Sequence, residues 1–489
     1  MSAHMRTSSV GAALALAFVV VAPGARLSAQ NLDRSKRPTV GNATPLRVPA
    51  WTKTTLSNGA ELIVVEKHDL PLVAFNLDFV GGAANFEPAD KTGVSALTSA
   101  MLNEGTKTRT ADQLSDAQQL LGTSIITNVG LEDGTIRFSS LRNKFEPALA
   151  LLADVLLNST FPDSALERIR ARTLVGLTQQ KEQPNAIAAK VFADVTYGAQ
   201  HPYGRVTTER SVKAITRADV VNFAETYFKP GRAVITVSGD IDVTTATAAV
   251  ERALAAWPKG GSRPSFDYGV PPVPRSRTIY LVDKPKAPQS VFSFGTPGPS
   301  RNTPDYYSLS VMNRLLGGTI QSRLSHDIRE VKGYSYGVRS SFAYGRGPGA
   351  FTAGGGIVSA KSDSALIGFM THFNGVRGDQ PFTDAELVEG REGLIQSLPG
   401  RFSSVGGLAA AISSLYTQSL PETYFQDYAA KINAVTKDDL TRVAKKYIDV
   451  DHMNLVIVGD RASIEGLLKA TGIAPIQVLD AEGRPVLVP

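Results

Sequence analysis

Two stretches of this chain can be laid over one another. Ala214-Ile215-Thr216-Arg217-Ala218-Asp219-Val220, followed by Tyr227 and Val237-Ser238-Gly239-Asp240, matches Ala434-Val435-Thr436-Lys437-Asp438-Asp439-Leu440, followed by Tyr447 and Ile457-Val458-Gly459-Asp460. From the Thr to the last Asp is 24 residues in both, and the copies are offset by 220 (Thr216 to Thr436). A tandem duplication of that period limits the fold to two similar domains in one chain. Each copy places Thr-x-x-Asp before an amphipathic run, so the hydroxyl can cap a helix whose first turn carries the Asp. Each then closes with an apolar strand, Ala233–Val237 or Asn454–Val458, and a Gly-Asp turn. Alternating strands such as Val73–Phe79, together with these helix-then-strand units, give the class as α+β.

Between the copies, Pro258 to Arg277 holds five prolines and Gly260-Gly261, which suit neither a helix nor a central strand. This places a first domain at 45–258, a linker at 259–277 and a second domain at 278–475, with the C-terminal tail running over the surface. The 489-residue length suits two or more domains, at roughly 100–200 residues each.

The opening residues differ from the rest. Arg6 precedes an apolar run from Val10 to Ala22, then Pro23-Gly24 and Leu27-Ser28-Ala29. Thirteen residues fall short of the ~20 that span a bilayer, so residues 1–29 read as a secretory signal peptide cleaved near Ala29. The expectation is export, in a bacterial setting to the periplasm, as a released protein without disulfides, since the chain has no Cys. Without residues 1–29 the balance is 49 basic against 45 acidic residues. That mild excess, with no basic blocks, gives no case for nucleic-acid binding. The six His (His4, His68, His201, His326, His372, His452) include no pair at i,i+3 or i,i+4, so no local zinc motif exists.

The segment Gly93-Val94-Ser95-Ala96-Leu97-Thr98-Ser99-Ala100-Met101-Leu102-Asn103-Glu104-Gly105-Thr106 resembles the active-site helix of the insulinase/pitrilysin-type (M16) zinc peptidases, G-x-x-H-x-x-E-H-M-L-F-x-G-T. Gly93, Met101, Leu102, Gly105 and Thr106 keep the frame, while Ala96, Ser99 and Ala100 stand at the His, Glu and His positions. Metal binding there needs two imidazoles on one helix face and a carboxylate base, which methyl and hydroxymethyl groups do not supply. The resemblance places a third ligand, a Glu, some seventy to eighty residues on. Here that stretch, Thr173–Gln180, holds no carboxylate. The resemblance thus implies a non-catalytic chain of two α+β domains in a clamshell arrangement around a chamber, binding no metal itself. His201-Pro202-Tyr203-Gly204 also resembles a family segment, with His201 read as a structural turn residue.

In the second half, Ile328-Arg329-Glu330-Val331-Lys332-Gly333-Tyr334-Ser335-Tyr336-Gly337-Val338 resembles the family's substrate-holding Arg/Tyr element, with Arg329 and Tyr336 at the matching seven-residue spacing. A guanidinium and a phenol O–H can donate to the carbonyls of an extended peptide. The alternatives are a helix-end salt bridge from Arg329 to Glu330 and a packing role for Tyr336. A strand with Tyr334, Tyr336 and Val338 on one face is expected. Gly317-Gly318 and the six glycines from Gly345 to Gly356 read as flexible or tight-turn segments, with strand turns and close backbone packing as an equal explanation. The resemblance further implies pairing with a His-x-x-Glu-His chain that carries zinc, and peptide or unfolded substrates. The alternative is a structural core protein of the same family with no peptidase role.

Overall fold

The computed structural model describes residues 46–486, so the predicted signal peptide lies outside the described residues. Among the described residues twelve strands form two six-stranded mixed sheets. β1 (Thr52–Thr55), β2 (Glu61–Glu66), β3 (Leu72–Val80), β4 (Ile126–Val129), β5 (Asp133–Leu141) and β6 (Ala233–Gly239) are ordered β1-β2-β6-β3-β5-β4. β7 (Thr278–Asp283), β8 (Gln289–Pro297), β9 (Ser335–Phe342), β10 (Ala350–Val358), β11 (Asn454–Gly459) and β12 (Ile476–Leu479) are ordered β12-β7-β11-β8-β10-β9. Five positions correspond strand for strand, including the parallel pairs β2/β6 and β7/β11. The sixth does not: β1 runs antiparallel to β2, whereas β12 runs parallel to β7. The chain beyond residue 475, expected to run over the surface, is thus built into the second sheet.

The duplicated caps form as the sequence requires. Thr216 Oγ1 accepts from Asp219 N at 3.2 Å while Asp219 Oδ2 accepts from Thr216 N at 2.7 Å. Thr436 and Asp439 repeat the exchange at 3.2 and 3.0 Å. Both helices then present a buried stripe, Val220, Phe223 and Tyr227 in one, Leu440, Val443 and Ala444 in the other.

Each half lends a helix to the other. Helix Val405–Thr417, from the second half, packs on β2, β3 and β6 of the first sheet. Helix Pro184–Tyr197, from the first half, packs on β8 and β11 of the second. The alternation of strand side chains shows what this does: Leu62 and Val64 join the core of the first half, whereas Ile63 and Val65 join Leu408, Ile412 and Leu415 of the lent helix. In the other direction Ile187, Val191 and Phe192 meet Val282, Val291, Val456 and Val458. Ser413 Oγ donates to Asp78 Oδ2, and Asn454 Nδ2 donates to Thr196 Oγ1 at 3.2 Å, so each lent helix supplies a hydrogen-bond partner to a buried polar side chain of the sheet it covers.

The hairpin tips of the two sheets also meet. Glu132, between β4 and β5, and Asp133, the first residue of β5, face Arg346, between β9 and β10. Arg346 N donates to both Glu132 carboxylate oxygens at 2.8 and 2.9 Å, and Arg346 Nη2 reaches Asp133 Oδ1 at 2.7 Å. Gly347 N donates to Tyr203 Oη at 2.9 Å, and a Cβ on Gly347 would lie 2.4 Å from Tyr268 Cδ2. The glycine at this tip is therefore a close-packing requirement. The linker takes part: Phe266 lies 4.8 Å beneath the Arg346 guanidinium, and Tyr268 Oη donates to Asn85 Oδ1 at 3.1 Å.

Candidate functional site

The vestigial segment folds as the frame predicts, into helix Val94–Met101. Gly93 starts it at φ 105°, and a Cβ there would stand 2.9 Å from Thr207 Cγ2, so conformation and space both call for glycine. Glu87 Oε1 accepts from Gly93 N at 3.1 Å and Ser95 N at 2.8 Å, capping the helix from outside. Met101 and Leu102 are buried, and Gly105 takes φ 130°. Thr106 Oγ1 donates to Asp154 Oδ2 at 2.8 Å, beside Thr108 and Arg109, which bind the same oxygen.

Ala96 and Ala100 are exposed on one face, four residues apart, as the ligand positions require. Ser99 is buried, and its Oγ donates to Ala96 O at 3.1 Å. The neighbouring helix, Asp163–Gln180, brings no carboxylate from Thr173–Gln180. The donors therefore do not fit a zinc ion, and among the described residues no group of three or more His, Cys, Asp or Glu side chains comes together in a ligating arrangement.

His201 holds a turn. Its Nδ1 accepts from Tyr203 N at 3.1 Å, its ring stacks on Tyr197 at 5.0 Å, and burial lowers its pKa.

Arg329 lies in a wide turn of helix, His326–Val331, which ends at Gly333 with φ 64°. The turn is pinned from behind. Asp327 Oδ2 accepts from Lys332 Nζ at 2.7 Å and lies 3.0 Å from His372 Nε2 on helix Ser362–Asn374. Upstream, Arg323 is clamped by Glu386 at 2.7 and 2.8 Å and stacks on Phe382 at 4.4 Å. Burial raises the Glu386 pKa, but Arg323 and the Thr383 cap more than offset it and bring it to about 2. Arg329 itself is left outward, with a side chain 38% exposed and Glu330 Oε1 3.4 Å from its Nη1. An exposed pair at that distance contributes little, so the guanidinium remains available.

Tyr336 is 88% exposed. The expected common face of Tyr334, Tyr336 and Val338 does not form, and the reason is local. β10 pairs Gly356 with Gly337 and the next residue, Ile357, with Ser335, so Tyr336 is the extra residue of a β-bulge. The bulge breaks the period of two, leaving Val338 buried and turning Tyr336 outward. A bulge has no signature in the apolar pattern. The weak signal was Gly337 directly after the Tyr. The Gly317-Gly318 pair is not a free loop: a Cβ on Gly317 would lie 2.5 Å from Ser340 N, and Asn313 Nδ2 donates to Ser340 O at 3.2 Å.

The structure keeps the two sets of residues on separate halves. Helix Val94–Met101 packs on Asp163–Gln180, Arg217–Tyr227 and β4, all in the first half, whereas Arg329 and Tyr336 belong to the second. Among the described residues no hydrogen bond or ion pair joins them.

Two duplicated α+β domains, with Ala96, Ser99 and Ala100 at the ligand and base positions of the helix, define a class of metallopeptidase-like protein. Residues 63–206 match "Insulinase (Peptidase family M16)" and residues 214–394 match "Peptidase M16 inactive domain". The chain belongs to the M16 family. It is similar to an "Uncharacterized zinc protease YmxG" of Bacillus subtilis, at 25% identity over 62% of this chain and 72% of that one. It is also similar to a "Non-peptidase homolog YmxG" of Helicobacter pylori, at 22% identity over 82% of this chain and 92% of the relative. Among solved structures it resembles a peptidase M16 inactive domain from Pseudomonas fluorescens, with TM-score 0.77 and 27% identity, covering 84% of this chain and 98% of that one. No helix among the described residues is long and apolar enough to cross a membrane.

Proposed function

We propose that this chain is the non-catalytic subunit of a two-chain zinc peptidase. In this reading a partner bearing His-x-x-Glu-His holds the zinc, and this chain closes the chamber and presents Arg329 and Tyr336 to the substrate. The observation that carries the proposal is the contrast between the two sites. The vestigial helix offers only Ala96 and Ala100 at its exposed face, while a pinned turn and a bulge hold Arg329 and Tyr336 outward with no strong internal partner. Both groups donate hydrogen bonds, so they suit the carbonyl oxygens of an extended peptide and the charge that grows on a carbonyl under attack. The substrates are peptides or unfolded segments able to enter such a chamber. The setting is the bacterial periplasm, reached after cleavage near Ala29. The name of the Helicobacter pylori relative, a non-peptidase homolog, supports the non-catalytic half of the proposal.

The test is capture of the tagged mature chain from its native periplasm, followed by peptidase assay of what it retains. Recovery of a near-stoichiometric His-x-x-Glu-His chain with zinc-dependent turnover is expected. Arg329→Ala and Tyr336→Phe should each reduce turnover about 10- to 1000-fold without releasing the partner, as removal of a transition-state donor does. Unchanged turnover in both variants overturns the assignment, and recovery of a membrane complex with no such chain favours a scaffold role.

A further inference from the structure

A cavity of about 500 Å³ lies at the seam of the two halves. The end of the Asp163–Gln180 helix, the start of Pro184–Tyr197, the Thr207–Arg210 segment and the C-terminal turn at 481–484 line it, and it is open to solvent, with Gln180 and Arg210 exposed. It adjoins the vestigial helix, because Thr207 in its wall is the residue packed against Gly93. Part of the wall is apolar, from Leu177, Ala186, Ile187 and Ala481. The rest carries four cations, Lys181, Lys190, Arg210 and Arg484, against two carboxylates, Glu209 and Glu482.

The carboxylates are already engaged. Glu209 lies 3.0 Å from Lys181 and 3.5 Å from Lys213, and Glu482 pairs with Lys181 at 3.4 Å and with Lys190. Arg484 is held by Asp480 at 2.8 Å. Arg210 makes no ion pair and its guanidinium no hydrogen bond among the described residues, and the Gln180 side-chain amide is likewise without a protein partner there. The wall therefore has surplus positive charge and two unengaged donor groups beside an apolar surface.

We propose that this cavity receives the C-terminal end of a peptide, with the terminal carboxylate on Arg210, Gln180 donating beside it, and an apolar last side chain against Leu177 and Ile187. A planar guanidinium fork matches a carboxylate in two hydrogen bonds, and the surplus charge draws an anion. The volume is that of a small-ligand pocket, enough for a chain end of a few residues. The ligand class rests on the peptide-handling reading above, but the site needs no zinc-bearing partner and is tested on this chain alone.

The measurement is fluorescence anisotropy of the mature chain with an N-terminally labelled hexapeptide ending in leucine, prepared with a free and with an amidated C-terminus. Binding of the free acid at least about tenfold tighter than the amide is expected, the usual worth of a charge-assisted hydrogen bond. Arg210→Glu should abolish that preference, and Leu177→Trp should block binding by filling the cavity. Equal affinity of acid and amide, no binding of either, or wild-type binding by Arg210→Glu overturns the site. So does equal binding of an amidated peptide whose only carboxylate is an internal Asp. The comparison of acid with amide needs no variant, so it survives any folding defect. If carboxylate-dependent binding holds while no zinc-bearing partner is ever captured, the subunit reading fails and the site stands.

Discussion

Gly93, Met101, Leu102, Gly105 and Thr106 each have a task that no metal enters: a left-handed helix start, two core contacts, a second left-handed glycine and an anchor on Asp154. That is why the frame of a zinc helix is legible here without its ligands, and why the loss of ligands could be read from residue types alone. It also yields a geometric prediction. Ala96 and Ala100 share an exposed face at i,i+4, so the double substitution Ala96→His with Ala100→His should create a two-imidazole metal site on an unchanged helix. Micromolar Zn²⁺ should then stabilise the variant, but not the wild type, by about 1–3 kcal/mol through linkage. Thermal melts with and without the ion measure this. The variant should show no peptidase activity, because Ser99 offers no base and Thr173–Gln180 no third ligand. A melt indifferent to zinc would mean that the two positions do not converge.

Elements were legible where local chemistry decides them and less so where a distant partner does. The two Thr-x-x-Asp caps, the strands that follow them and the proline-rich linker can be read from adjacent residues. β3 cannot be read that way. Its Asn76 and Asp78 suggest a strand with one wet face, yet both sit beneath the lent helix Val405–Thr417, and the partner for Asp78 is Ser413, 335 residues away. An apolar helix stripe looks the same whichever sheet it covers, so the exchange has no signature in the pattern. Burial raises the Asp78 pKa, against smaller opposing effects from Ser413, Thr135 and Arg137. A carboxyl whose pKa is raised on folding is a cost above its unfolded value, and that cost fades as the pH falls through its folded value. Asp78→Asn removes the ionisation and keeps an acceptor for Ser413. The variant should therefore have a higher urea midpoint than the wild type at pH 7, with the gap closing as the pH is lowered toward 4. A lower midpoint at pH 7 that recovers toward the wild type as the pH falls would show that the charge itself is wanted.

At the scale of the whole molecule, the duplication gives two domains, but the exchanged helices make neither of them self-sufficient. Without Val405–Thr417, the first sheet would present Ile63, Val65, Val80 and Val234 to water, a contiguous apolar face of the kind that drives association. The second sheet would do the same at Val282, Val291, Val456 and Val458 without Pro184–Tyr197. The joined hairpin tips at Arg346, Glu132 and Asp133 add a second tie at the far end of the sheets. The 259–277 linker is therefore a tether between two mutually dependent halves. Residues 46–258 expressed alone should be insoluble, or soluble without a cooperative melt. The same segment co-expressed with residues 278–489 should recover a soluble complex that melts in one transition, below the intact chain because the covalent link no longer limits the entropy of association. Size-exclusion chromatography and calorimetry on the three preparations distinguish the outcomes. A first half that melts cooperatively alone, at the temperature of the intact protein, would show that the lent helix covers that sheet without being needed to fold it.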